Sequence, residues 1–171
     1  MRIMAQFIHL SDERLIRRIQ RGGIKPTRFW DSEERYVYAM PVLKDFMISH
    51  QWVRELKTKG IRTIAAIQFR IPDDEPVKVG RFGTAPMDTT AAGSVRVFME
   101  HQSGLGLQVM IPRKILAKEI TRTYLPPQLA GWRHYPEAHG KPPFCGCDYC
   151  QRGRIKSRKI REKYEAENAG G

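Results

Sequence analysis

The chain has 171 residues and a formal net charge of +12, from 30 Lys and Arg against 18 Asp and Glu. That length fits one domain with at most a short appendage, and 41% hydrophobic with 28% charged residues is too apolar for a wholly disordered chain. No apolar run approaches the roughly 18 residues of a transmembrane helix, and Met1–Ile8 is too short for a secretory leader. A cytoplasmic protein with an anionic ligand or partner and no membrane partner is the expectation. The three cysteines crowd into Cys145, Cys147 and Cys150, which argues against a disulfide scaffold.

Met4–Leu10 predicts a strand that one polar residue, His9, interrupts. Ser11 is placed to cap a following helix, in which Leu15, Ile16 and Ile19 recur at helical spacing before Gly22-Gly23 stop it. A polar connection runs to Glu34, and Tyr36–Met40 is the next strand, ended by Pro41. Leu43, Phe46, Met47, His50 and Val53 share one helical face, so 42–59 reads as an amphipathic helix closed by Gly60. On that face His50 reads as a satisfied core histidine and Trp52 as packing.

Arg62–Ile71 is a β-branched strand stopped by Pro72-Asp73-Asp74, and Val77–Phe82 is another. Gly83–Gly93 reads as a loop, and Ser94–His101 fits a helix or a strand equally. Leu107–Ile111 is a strand opened by Gln108 and ended by Pro112; after a turn or short helix at 114–118, Glu119–Leu125 alternates as the last strand. The charged clusters Glu33-Glu34-Arg35 and Asp73-Asp74-Glu75 read as solvated turns, and Arg17, Arg18 and Arg21 as an exposed helix face. The expected architecture is therefore α+β over residues 1–125. Residues 126–171 follow as an irregular extension holding five of the eleven prolines.

In order and spacing, Ile8-His9-Leu10-Ser11, Ile19, Gly22-Gly23-Ile24, Tyr38, and Val109–Ile115 with Glu119-Ile120 resemble the ADP-ribosyltransferase superfamily. The nearest pattern is its DNA-targeting toxin branch (DarT type). The resemblance implies split β-sheets with flanking helices and NAD as the cofactor consumed. It implies that His9, with Ser11 and Gly23 beside it, holds NAD, and that Tyr38 stacks on nicotinamide. It further implies a toxin or defence role, with nucleic acid as acceptor and an antitoxin or immunity protein as partner. The family's late strand supplies a catalytic Glu, and the chain has Gln108 at the aligned position. Three readings stay open there: Gln108 is native and another group acts or activity is lost, the chain is an inactivated variant, or Glu100 is the carboxylate. The dinucleotide's pyrophosphate needs donors, which the helix start after His9 and the arginines would supply.

The Cys145-x-Cys147-x2-Cys150 cluster, with His139 before it and His134 further upstream, fits a structural Cys3His zinc site. The run Arg152, Arg154, Lys156, Arg158, Lys159, Arg161 and Lys163 carries half of the chain's net charge, which favours a polyanion such as DNA or RNA. Two alternatives follow. One is a non-catalytic, zinc-clasped nucleic-acid-binding module; the other is an NAD-dependent RNA 2′-phosphotransferase.

Overall fold

A computed structural model describes residues 4–28, 33–57, 59–101 and 104–128. Its elements are β1 (Met4–Asp12), α1 (Ile16–Gly22), β2 (Thr27–Arg28), β3 (Arg35–Pro41), α2 (Phe46–Ser49), α3 (Val53–Lys57), β4 (Ile64–Pro72), β5 (Pro76–Arg81), β6 (Met87–Thr90), α4 (Ala91–Glu100), β7 (Leu107–Ile111) and β8 (Ile120–Tyr124). The α+β expectation holds. Among the described residues no helix is long and apolar enough to cross a membrane.

The strands form one eight-stranded sheet in the order β6-β5-β7-β3-β1-β4-β8, with β2 added to β3. Every named pairing is antiparallel. The sheet is continuous, but it narrows sharply in the middle. β1 pairs with β4 along its whole length, from Met4↔Pro72 to Asp12↔Ile64. Against β3 it makes only Phe7↔Pro41 and Ile8↔Met40. Beyond Ile8 the two central strands part, so one half of the sheet (β1, β4, β8) is joined to the other (β3, β7, β5, β6) through a short seam.

The core lies over this seam. Phe7, Val37, Ile67, Phe69, Val109 and Ile111 are inaccessible to solvent, and Phe7 stacks on Phe69 at 5.9 Å between ring centroids. Ile19 of α1 and Ala91 and Phe98 of α4 pack onto the same cluster. Burial on this scale is the dominant favourable term in folding. α4 resolves the ambiguity over 94–101 in favour of a helix, started by the Thr90 hydroxyl accepting from the Gly93 N–H.

Several expected elements are corrected. Ser11 does not cap α1, because β1 continues through Asp12. It is the Asp12 carboxylate that accepts from the Arg14 N–H at 2.9 Å, opening a 3-10 turn over Glu13–Leu15. The single helix over 42–59 is two short ones. Asp45 caps α2, and the chain breaks at Gln51-Trp52, whose side chains are drawn inward to backbone groups before and within β7. The 83–93 loop contains β6, whose polar residues gave no alternation because it is an exposed edge paired only with β5.

Glu75 is not a solvated turn charge. Arg113 donates to both its oxygens and to both oxygens of Glu119, the latter two bonds at 2.7 Å. Burial alone would raise the Glu119 carboxyl, but donors from Arg113 and the Leu116 N–H outweigh it and hold the group below its ordinary range. Since Glu75 sits in the β4–β5 turn and Glu119 leads into β8, this fork ties the two halves of the sheet together a second time.

Gly22-Gly23 ends α1 as expected, and Gly23 adopts φ +79°. The next residue, Ile24, exchanges backbone hydrogen bonds with Ile115. A Cβ on Gly23 would lie 2.1 Å from the Ile115 carbonyl oxygen, a backbone atom that cannot swing away. Gly23→Ala should therefore lower stability by about 2–3 kcal/mol through strain and displacement of this bridge. Urea denaturation checks it: an unchanged midpoint would show that the connection from α1 to β7 has slack.

Candidate active site

Where β1 and β3 part, a cavity of about 250 Å³ opens in the sheet. Its walls come from elements far apart in sequence. β1 contributes Ile8, His9 and Leu10; β2 contributes Thr27 and Arg28; β3 contributes Tyr38, Ala39 and Met40. Trp52, Glu55, Leu56 and Lys59 come from α3 and its flanks, Phe82 follows β5, and Gln108 comes from β7. The lining is mainly apolar, with a few polar groups converging on it, the composition of a small-molecule site.

His9 stands at the point where the β1–β3 ladder stops. Its Nδ1 lies 2.7 Å from the Tyr38 carbonyl oxygen. A carbonyl only accepts, so Nδ1 carries the proton, and in the neutral ring Nε2 is left as an acceptor. The ring is neutral because burial pushes the imidazole below its ordinary 6.5, against the smaller opposing pull of the Tyr38 carbonyl. The side chain thus replaces a missing rung of the ladder while keeping one acceptor nitrogen.

Tyr38 is half-buried and meets Tyr36 edge-on at 6.3 Å. Burial, then the nearby Glu34 charge, raises its phenol, so it presents a neutral ring. Tyr36 is pushed up to about 12 by burial and by its hydrogen bond to Glu34.

Gln108 is positioned by the start of β7, which Gln51 and Trp52 clamp from the break between α2 and α3. Buried Gln51 donates to the Gly104 carbonyl at 2.9 Å and accepts from the Gly106 N–H at 2.5 Å. The Trp52 indole N–H donates to the Leu107 carbonyl at 3.1 Å, and its ring packs against Phe82. Gly104 and Gly106 both have positive φ, which lets the backbone turn beneath Gln51. Trp52, expected as packing alone, therefore fixes the neighbour of Gln108 and also forms part of the cavity wall.

His9, Tyr38 and Gln108 thus meet in one cavity. Ser11 and Gly23 do not line it: Ser11 lies in β1 opposite Ala65, and Gly23 is packed on Ile115. The turn after β1 is a poor anion site, because the Glu13 N–H donates to the Thr63 carbonyl, while Asp12 accepts from the Arg14 N–H and pairs with its guanidinium at 2.6 Å. The cations on the cavity wall are Arg28 and Lys59 instead. Glu100 is exposed at the end of α4 and is not part of the lining. His139, Cys145, Cys147, Cys150 and the basic run from Arg152 through Arg154, Lys156, Arg158, Lys159 and Arg161 to Lys163 lie outside the described residues.

Reading the sequence for the core face of one long helix missed Glu55. The available signal was the stripe Trp52, Glu55, Leu56 and Lys59, spaced i, i+3, i+4, i+7, which lines the cavity. Arg28 falls in the two-residue β2, inside the stretch read as a polar connection, and Phe82 stands just beyond β5, at the end of the run read as a strand. No protein family, curated protein or solved structure matches the chain.

His50 is a satisfied core histidine, as expected. Its Nδ1 donates to the Phe46 carbonyl at 3.0 Å and its Nε2 accepts from the Tyr124 hydroxyl at 2.6 Å, joining α2 to β8. Burial lowers its pKa, as it does that of His9. Both groups bind fewer protons folded than unfolded, so their contribution is complete above the ordinary value of 6.5 and is lost as pH falls below it. The melting temperature should accordingly drop between about pH 7.5 and about pH 5.5, and His50→Gln should flatten that slope. A melting temperature that rises on acidification would show that one of these rings is charged in the fold.

Proposed function

We propose that the chain is an NAD-dependent ADP-ribosyltransferase that modifies nucleic acid. One observation carries the reading: His9, Tyr38 and Gln108, named from their order along the chain, line a single cavity at the parting of the central strands. The wall chemistry fits the substrate. At about 250 Å³ the cavity is smaller than the roughly 300–1,000 Å³ of clefts that enclose a whole ligand. It suits the nicotinamide riboside end, leaving the pyrophosphate and adenosine towards the mouth.

The Nε2 acceptor of His9 takes a hydrogen bond from a ribose hydroxyl. The neutral Tyr38 ring offers a face to nicotinamide, whose positive charge is attracted to it. The Gln108 amide holds a second ribose hydroxyl, and Arg28 and Lys59 attract the phosphates. Trp52 and Phe82 line the wall with apolar surface that keeps bulk water from the reacting carbon.

Transfer to nucleic acid rests on the net charge of +12, half of it in the basic run that ends at Lys163. Titration calorimetry with NAD tests the binding step: saturable binding, weakened about tenfold or more by Tyr38→Ala, is the expected result. No heat with millimolar NAD would overturn the reading and leave the non-catalytic module. Incubation with labelled NAD and separate DNA, RNA and protein pools tests the acceptor. Label on DNA or RNA is expected, and label confined to protein would refute the nucleic-acid assignment.

The Cys3His site proposed for His139, Cys145, Cys147 and Cys150 is tested separately. The purified chain should carry about one zinc, lost in Cys147→Ser. Metal analysis finding no stoichiometric zinc would reject the clasp without touching the NAD reading.

A further inference from the structure

We infer that Phe46, Tyr124 and Arg122, with Arg70 beside them, form a stacking platform for single-stranded nucleic acid. The inference takes only the polyanion from the reading above and does not depend on NAD. Strand register fixes where the platform stands. Leu10, Ala66 and Tyr124 form one row across β1, β4 and β8, and Ile8, Gln68 and Arg122 form the next. Paired residues point to the same side of a sheet, and so does Arg70, two residues beyond Gln68. Ile8 and Leu10 line the cavity, so Tyr124 and Arg122 stand two strand spacings, about 10 Å, from its β1 wall.

Four planar groups follow one another there. Phe46 stacks on His50 with 3.9 Å between centroids and 16° between planes. The His50 ring lies 5.8 Å from that of Tyr124 and accepts from its hydroxyl. The Arg122 guanidinium carbon sits 4.6 Å from the centre of the Tyr124 ring. His50 is buried, whereas Phe46 is 40% exposed and Arg122 is exposed. A single exposed Phe is ordinary. Here the buried imidazole fixes both rings, so a ligand that stacks on Phe46 or on the Arg122 guanidinium meets side chains that are already ordered.

Charge narrows the occupant. Arg70 and Arg122 are exposed, and neither makes an ion pair among the described residues. Asp45, the carboxylate beside Phe46 in sequence, is turned to the Met47 and Ile48 amides. Cations interleaved with rings match a ligand that carries both anionic and flat groups. An unpaired strand is that combination, with phosphates for the arginines and base faces for Phe46. A duplex keeps its base faces stacked inside, and a lipid headgroup has none.

Fluorescence anisotropy with the full chain tests the platform, using labelled DNA and RNA strands of about a dozen nucleotides and an abasic strand of equal length and charge. The abasic strand isolates stacking from the basic run beyond Arg152, which reads phosphates alone. The wild-type chain should bind a base-bearing strand about tenfold more tightly than the abasic one. Phe46→Leu keeps the apolar volume and removes the ring, so it should erase most of that preference and leave the salt dependence unchanged. Arg122→Gln should lower the salt slope by about 0.7, one phosphate contact. Arg122→Lys, at an exposed position, keeps the charge and gives up the planar group. It should retain the slope and lose part of the base preference, which keeps the platform open to refutation if Phe46→Leu does not fold.

Equal binding of base-bearing and abasic strands by the wild-type chain would overturn the platform, leaving charge alone to hold the strand. So would variants that discriminate as the wild type does, or a wild-type preference for duplex over a single strand of the same sequence. Binding to phosphatidylserine vesicles that Phe46→Leu abolishes, with strand binding untouched, would assign the patch to a lipid surface and overturn it too. NAD affinity should be the same in Phe46→Leu as in the wild type. A chain that takes the strand but not NAD overturns the function proposed above and leaves the platform. One that takes NAD but no strand overturns the platform and leaves NAD binding.

Discussion

Everything at the centre of the molecule follows from a ladder that stops early. β1 is committed to β4 over nine residue pairs but to β3 over two, so the sheet has a well-joined half on either side of a narrow seam. At the last rung the polar side chain of His9 takes over, its Nδ1 donating to the Tyr38 carbonyl across the parting strands. A parted sheet needs such a substitute, because buried unpaired carbonyls are expensive. It also needs a cross-brace, which the Arg113 fork to Glu75 and Glu119 provides at a distance. The opening between the central strands is therefore a maintained feature of the fold.

That geometry explains why the candidate site draws on three consecutive strands in the sheet order, β7, β3 and β1, although they are scattered along the chain. It also explains why α2 and α3 are short and separate. A single straight helix over 42–59 would keep Gln51 and Trp52 on the turn of a cylinder. The fold needs one to hold Gly104 and Gly106 and the other to reach Leu107. Clamping the first residues of β7 took precedence over helical continuity.

The legible parts of the sequence were those where local pattern and tertiary demand agree. Leu107–Ile111 was read to the residue because its apolar run is bounded by glycine and proline and is buried almost throughout. The Gly22-Gly23 stop was readable because only glycine fits φ +79° against the Ile115 carbonyl. His9, Tyr38 and Gln108 could be picked out as polar or aromatic intrusions in apolar strands. Ser11 was misjudged because its neighbour Asp12 is the better acceptor at the true end of the strand. β6 was hidden because Met87, Asp88 and Thr90 are exposed at the sheet's edge, where no alternation is enforced. Glu55 was hidden for the opposite reason: a charged residue inside an amphipathic pattern is assigned to the wet face by default, and here it points inward.

The two outermost strands have a consequence for how the chain behaves in company. β6 is four residues long, follows Pro86 and carries Asp88, which pairs with Lys78 back into the sheet. β8 is five residues long, sets Thr121 and Arg122 outward, and runs into Pro126-Pro127. Each edge offers a short row of backbone groups, interrupted by charge or by a residue without an amide proton. Another extended chain finds little to zip onto at either side. An eight-stranded, largely β domain of this kind is guarded against adding a ninth strand from a neighbour, and so against growing into fibres or swapped pairs by its edges.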